Sequence, residues 1–142
     1  MTDPAEPTAA DVLAAASAIV DAFAATDGDR YFATFAPDAT FVFHTEAERL
    51  PNRAAYERIW AGWVGSGWRV ISCTSSDPLP QTFPGGAVFT HTVDTTVDTG
   101  EGTESYRERE TIVFRLAAGT DATGSGLVAI HEHLSPMPAA SD

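Results

Sequence analysis

His91 and Glu110 are the residue types in this chain best suited to moving a proton. A histidine beside a carboxylate on an apolar wall serves as general acid or base near neutral pH, since burial and the pairing pull its pKa in opposite directions. Glu132, on an apolar stretch near the chain end, is a candidate third member. The alternative for His91 and Glu110 is a cross-strand pair that only pins its hairpin. His131 and His133 form a His-x-His pair of the kind that ligates metals. No third ligand is evident, so neither metal nor cofactor is expected. His44 closes a predicted strand near the expected pocket mouth, with its facing open. Tyr31 and Trp60, at helical core spacing, are expected to shape a cavity.

His91 and Glu110 meet only if residues 86–116 form one long β-hairpin. The segment reads GAVFTHTVDTTVDT, then GEG, then TESYRERETIVFRL. Both arms are rich in the β-branched and aromatic residues that suit a pleated, half-buried surface. A two-residue turn on Gly100-Glu101 fits type II′, with glycine first. That turn sets His91 opposite Glu110, Phe89 opposite Ile112 and Val93 opposite Glu108. One face then carries Phe89, His91, Val93, Tyr106, Glu108, Glu110, Ile112 and Phe114. The other carries Thr90, Thr92, Asp94, Thr96, Arg107, Arg109, Thr111 and Arg115. A slip of one residue scrambles this sorting, which selects the register. An apolar face with His and Glu set into it is the wall of a ligand pocket.

The 142 residues make one domain's worth of chain, expected over 8–138, with flexible tails at 1–7 and 139–142. A formal net charge of −12 repels a nucleic-acid backbone, so no nucleic-acid partner is expected. The single cysteine, Cys73, allows no internal disulfide. The acidic start MTDPAEPTAAD lacks a signal-peptide pattern, and no apolar run approaches the roughly 20 residues of a membrane helix. The expected setting is the cytoplasm, away from membranes.

Thr8 and Asp11 predict the start of an amphipathic helix running to about Thr26. Asp29 is expected to cap a second helix through Phe35, ended by Pro37. Residues 40–44 (TFVFH) read as a strand. Pro51 and Asn52 open a third helix carrying Tyr56, Ile59, Trp60 and Trp63, ended by Gly65-Ser66-Gly67. A strand over 68–74 is expected to stop at the turn-rich SSDPLPQTFPGG. After the hairpin, a loop over 117–126 precedes a last strand over 127–135. On that strand Val128, Ile130, Glu132 and Leu134 are expected inward, with His131, His133 and Ser135 on the outer face beside Arg109 and Thr111. Helices first and antiparallel strands after give an α+β plan, with helices covering one face of a curved sheet.

In YFATFAPDATFVFH (31–44), RIWAGW (58–63), RETIVFR (109–115) and the terminal HEHLS (131–135), the chain resembles the nuclear transport factor 2-like superfamily, in its SnoaL-like branch. The ending His-x-His-x-Ser after an Arg-x-Thr strand is also similar to the association domain of calcium/calmodulin-dependent protein kinase II. The resemblance implies a cone of curved antiparallel sheet wrapped on N-terminal helices, an interior pocket and a homodimer. It implies one of two roles. The first is a cofactor-independent isomerase, dehydratase or cyclase acting on a small apolar organic ligand, with His91 as acid or base and Glu110 orienting it. The second is a non-catalytic ligand-binding or assembly module. Tyr31, His44, Trp60, Ile112 and Glu132 are the expected ligand contacts. Where the association domain's pocket carries arginines this chain has Ile112 and His91, which argues against a carboxylate ligand.

Overall fold

The computed structural model, which describes residues 5–117 and 126–138, starts its first helix where the Thr8–Asp11 spacing predicts. In α1 (Ala9–Ala24) the Thr8 hydroxyl accepts from the Asp11 N–H, and the Asp11 carboxylate accepts from the Thr8 N–H, a reciprocal capping box. Val12, Ala15, Ala16, Ile19 and Ala22 face the core. α2 (Gly28–Ala33) is capped by Asp27, not by the expected Asp29, because the Asp27 carboxylate reaches the Arg30 N–H at 3.2 Å. It stops at Ala33, short of Phe35 and Pro37, which already belong to β1 (Phe35–Phe43). β1 therefore begins earlier than residue 40, and an irregularity between Phe35 and Thr40 accommodates the proline that cannot donate to a ladder. α3 (Arg53–Gly65) has Asn52 as N-cap and ends before Gly67, whose φ of +95° suits glycine.

The remaining elements are β2 (Arg69–Phe83), β3 (Gly86–Asp98), β4 (Thr103–Leu116) and β5 (Leu127–Pro136), in a five-stranded sheet of order β1-β5-β4-β3-β2. β2 through β5 pair antiparallel as expected. β1 occupies the free edge of β5 and runs parallel to it, so the sheet is mixed. β2 does not end at Thr74. It continues through SSDPLPQTF as an edge strand, the place in a sheet where prolines such as Pro78 and Pro80 are tolerated. Its register shifts between Ser76 and Leu79, where Asp77 takes a φ of +52°.

The hairpin of β3 and β4 has the predicted register. His91 lies opposite Glu110, Phe89 opposite Ile112 and Val93 opposite Glu108. Gly100 has a φ of +89°, and the Thr99 N–H donates to the Gly102 carbonyl at 2.8 Å, closing the turn on Gly100-Glu101. β5 departs from the predicted facing. Its register against β4 shifts between Val113 and Phe114, so Ile130 is an extra residue and parity reverses there. Leu127 and Ala129 point into the core in place of Val128, while Glu132 still faces inward.

The helices and the inner sheet face bury one continuous core that includes Val12, Ile19, Tyr31, Phe41, Phe89, Ile112 and Phe114. Residues 5–7 are tied to the β2–β3 turn, where the Gly85 N–H donates to the Ala5 carbonyl and the Thr82 hydroxyl to Glu6. The flexible segments expected over 1–4 and 139–142, and residues 118–125 of the expected loop, lie outside the described residues. Among the described residues, no helix is long and apolar enough to cross a membrane.

Candidate functional site

Strand alternation supplies the chemistry of the inner face. On β4 every second residue from Glu104 to Glu110 points the same way, so Glu104, Tyr106, Glu108 and Glu110 descend one wall of a cavity. Glu104 and Tyr106 are exposed, Glu108 is half-buried and Glu110 is buried, so the strip runs from solvent to depth. Opposite, α1, α2 and α3 contribute Ile19, Phe23, Tyr31, Tyr56 and Trp63, and Trp68 follows from the segment before β2. The cavity is open on one side, with a volume of about 410 Å³, enough for a small organic molecule.

Polar groups gather at the buried end. Glu132 on β5 is 1% exposed, and its Oε2 has no hydrogen-bond partner. The Tyr31 and Tyr56 hydroxyls share a hydrogen bond of 3.0 Å. Glu110 Oε1 accepts from His91 Nε2–H at 2.6 Å, and His91 Nδ1 accepts from the Ser75 hydroxyl at 2.5 Å. The His91 ring is thereby held at both nitrogens, its tautomer assigned from these two partners.

The sequence matches the SnoaL-like domain family over residues 12–140. The chain belongs to the SnoaL-like family. No curated protein matches it. Among solved structures, this SnoaL-like chain is similar to an NTF2-like protein of unknown function in nutrient uptake from Rhodospirillum rubrum. The two are 17% identical with a TM-score of 0.75, over 89% of this chain and 98% of that one. It is also similar to the S. rosetta CaMKII hub, at 23% identity and a TM-score of 0.73, over 94% and 99% of the two chains. A ketosteroid isomerase-like protein from Erwinia carotovora atroseptica is 17% identical, with a TM-score of 0.72 over 91% and 95%. At these identities the likeness establishes the nuclear transport factor 2-like α+β fold, an open and curved mixed sheet packed on N-terminal helices.

The SnoaL-like cavity sorts the expected site residues. Tyr31, Glu110 and Glu132 line it together. His91 does not line it. Its side chain is fully shielded behind Glu110, so the expected order of a histidine base with a glutamate orienting it is reversed in space. His44 is not among the lining residues and is bonded to the Glu108 carboxylate. Ile112 is sealed in the core at 0% exposure. Trp60 stacks on Tyr31 with ring centroids 5.1 Å apart and borders a surface groove beside Arg53 and Glu57 instead. Tyr106 and Glu108 line the cavity on the face the hairpin register assigns them, though neither is among the expected ligand contacts, and Tyr56 and Glu104 escaped the sequence reading. The Glu-x-Tyr-x-Glu-x-Glu alternation of ESYRERE carries the signal for Glu104.

The electrostatics follow from burial. Glu132 is held well above the usual carboxylate range, first by desolvation and then by the charge of Glu110. Burial raises Tyr31 and Tyr56, with the Glu132 charge adding to both, so their hydroxyls keep their protons. Burial also pushes the Cys73 thiol, on the β2 side of the cavity, up to about 11. On the outer face the Thr40 hydroxyl meets His131 Nδ1 at 2.7 Å, and burial and His133 lower the pKa of His131. Among the described residues, no group of three His, Cys, Asp or Glu side chains is arranged to hold a metal ion.

Proposed function

We propose that this SnoaL-like protein is a cofactor-independent proton-transfer enzyme acting on a small organic molecule in its cavity. The observation that carries the reading is Glu132, a buried carboxyl with one oxygen unpartnered, set beside Glu110 at the closed end of an aromatic-walled cavity. Burial, and next the charge of Glu110, hold Glu132 well above the usual carboxylate range, so Glu132 keeps its proton. Glu110 is then the base that takes a proton from a carbon next to a carbonyl. The Glu132 O–H and the Tyr31–Tyr56 hydroxyls donate to the oxygen on which negative charge develops. Return of the proton from Glu110 to another carbon completes an isomerisation, and return to a departing hydroxyl completes a dehydration.

His91 is a positioning residue in this account. Its Nε2–H fixes the Glu110 carboxylate, and the Ser75 hydroxyl fixes the imidazole. The test is deuterium exchange at the acidic carbons of a panel of small cyclic ketones and enones, followed by NMR. The wild type is expected to accelerate exchange in some of them, with Glu110→Gln reducing the rate by about 10²–10⁴-fold. Ligands that bind with no accelerated exchange would instead support the binding-module reading. The same reading takes the chain as a homodimer, paired through the outer sheet face that carries Val113, Arg109 and His133. Light scattering at micromolar concentration is expected to show twice the chain mass, and a monomer would remove that part.

A further inference from the structure

β4 separates charge across the sheet. Its inward residues are Glu104, Tyr106, Glu108 and Glu110, while Arg107, Arg109 and Arg115 point to the other face, where Arg107 pairs with Asp94 at 3.3 Å. Every basic residue of the sequence other than histidine is an arginine, and among the described residues none of them lines the cavity. No histidine lines it either. The cavity therefore presents carboxyl groups from mouth to floor with no basic side chain among its lining residues, the histidines that bond Glu108 and Glu110 (His44 and His91) standing behind them. An anionic ligand would meet these groups in a low-dielectric space, where repulsion is poorly screened. The walls between them are Phe23, Tyr31, Tyr56, Trp63, Trp68 and Tyr106, whose ring faces attract cations.

The rim and the floor differ in what they leave free. The Glu104 carboxylate accepts from the Tyr106 hydroxyl and the Glu108 carboxylate from His44, so both are oriented at the mouth. At the floor, Glu132 Oε2 is buried without a partner. Trp63 and Trp68, with ring centroids 5.2 Å apart, line the cavity together with Glu104, Tyr106 and Glu108. We infer that the cavity selects organic cations, namely an amine or quaternary ammonium compound with an apolar body, its charge held at the mouth among Glu104, Glu108 and the aromatic rings. This rests on the cavity being a small-molecule site and names the class of ligand it takes.

The probes are benzyltrimethylammonium, its neutral carbon isostere neopentylbenzene, and phenylacetate. Binding is read from tryptophan fluorescence and from the side-chain NMR signals of Trp63 and Trp68. The ammonium compound is expected to bind about tenfold or more tighter than the neutral isostere, with phenylacetate weakest. Glu104→Gln with Glu108→Gln should remove most of that preference. Asp21→Asn with Asp29→Asn, outside the cavity, should leave it in place, which separates a cavity effect from the field of an acidic protein. Equal or tighter binding of the neutral isostere overturns the inference, as does a preference lost equally in both double variants. Failure of deuterium exchange with the cation preference intact removes the proposed enzyme and leaves this inference standing.

Discussion

His91 Nε2 lies 2.6 Å from Glu110 Oε1 directly across the β3–β4 hairpin, and only the glutamate of the pair reaches the cavity. The strand pairing brings them together, and neighbours distant in sequence decide which of the two is covered. His91→Ala removes a buried donor from Glu110 and leaves the Ser75 hydroxyl facing a void. It should destabilise the fold by about 1–3 kcal/mol, read by urea unfolding. His91→Gln, which keeps an N–H donor, should lose less. His91→Ala combined with Glu110→Gln should cost little more than the worse single change, because the two act as a unit.

Stability should also depend on Glu132. Its carboxyl is held above the reference value of 4.5, so the folded state binds this proton more tightly than the unfolded chain. The contribution is fully present below the unfolded pKa and is lost as pH rises from there through the raised folded value. Glu132→Gln, a neutral mimic of the protonated group, should flatten that part of the curve. Urea midpoints measured across acid to alkaline pH for both proteins check this, and identical slopes would contradict it.

Cys73 reports on the cavity from a different wall. With its thiol pushed up to about 11, it should react slowly with a neutral maleimide at neutral pH and faster toward that value. A cavity ligand should slow the reaction further, since Cys73 is part of the lining. Rapid labelling at neutral pH that no ligand alters would count against both points.

Gly86 begins β3 where two backbones come close. A Cβ there would fall 2.3 Å from the Phe114 carbonyl oxygen, so backbone must move to admit it. Gly86→Ala is expected to cost about 1–3 kcal/mol, seen as a lower melting temperature. An unchanged melting temperature would show that the sheet yields at that point.

The sequence carried the hairpin well because three local signals agree there. Glycine at the turn, β-branched arms and the sorting of Thr and Arg from Phe and Val all select one register. Facing was legible wherever alternation was unbroken. It failed at Val128, since the extra residue at Ile130 reverses parity, and a bulge has no strong mark in side-chain pattern. β2 was cut short because prolines read as turn signals, and only its place at the sheet edge makes Pro78 and Pro80 compatible with a strand. Depth was not legible at all. Alternation puts His91, Glu110 and Ile112 on one face, but which of them is covered depends on neighbours distant in sequence. Tyr31 and Trp60 illustrate the same point, since both sit at core spacing and only Tyr31 lines the cavity.

The most direct measurement is a titration of the glutamate side-chain carboxyls by carbon-13 NMR, from about pH 4 to about pH 9, the range over which buried glutamates are known to ionise. The account predicts one resonance that titrates well above the ordinary carboxylate range, disappears in Glu132→Gln, and moves down in Glu110→Gln, where the neighbouring charge is gone. If every glutamate titrates near its ordinary value, and Glu132→Gln removes one of those, Glu132 does not hold the proton and the acid–base pair does not exist.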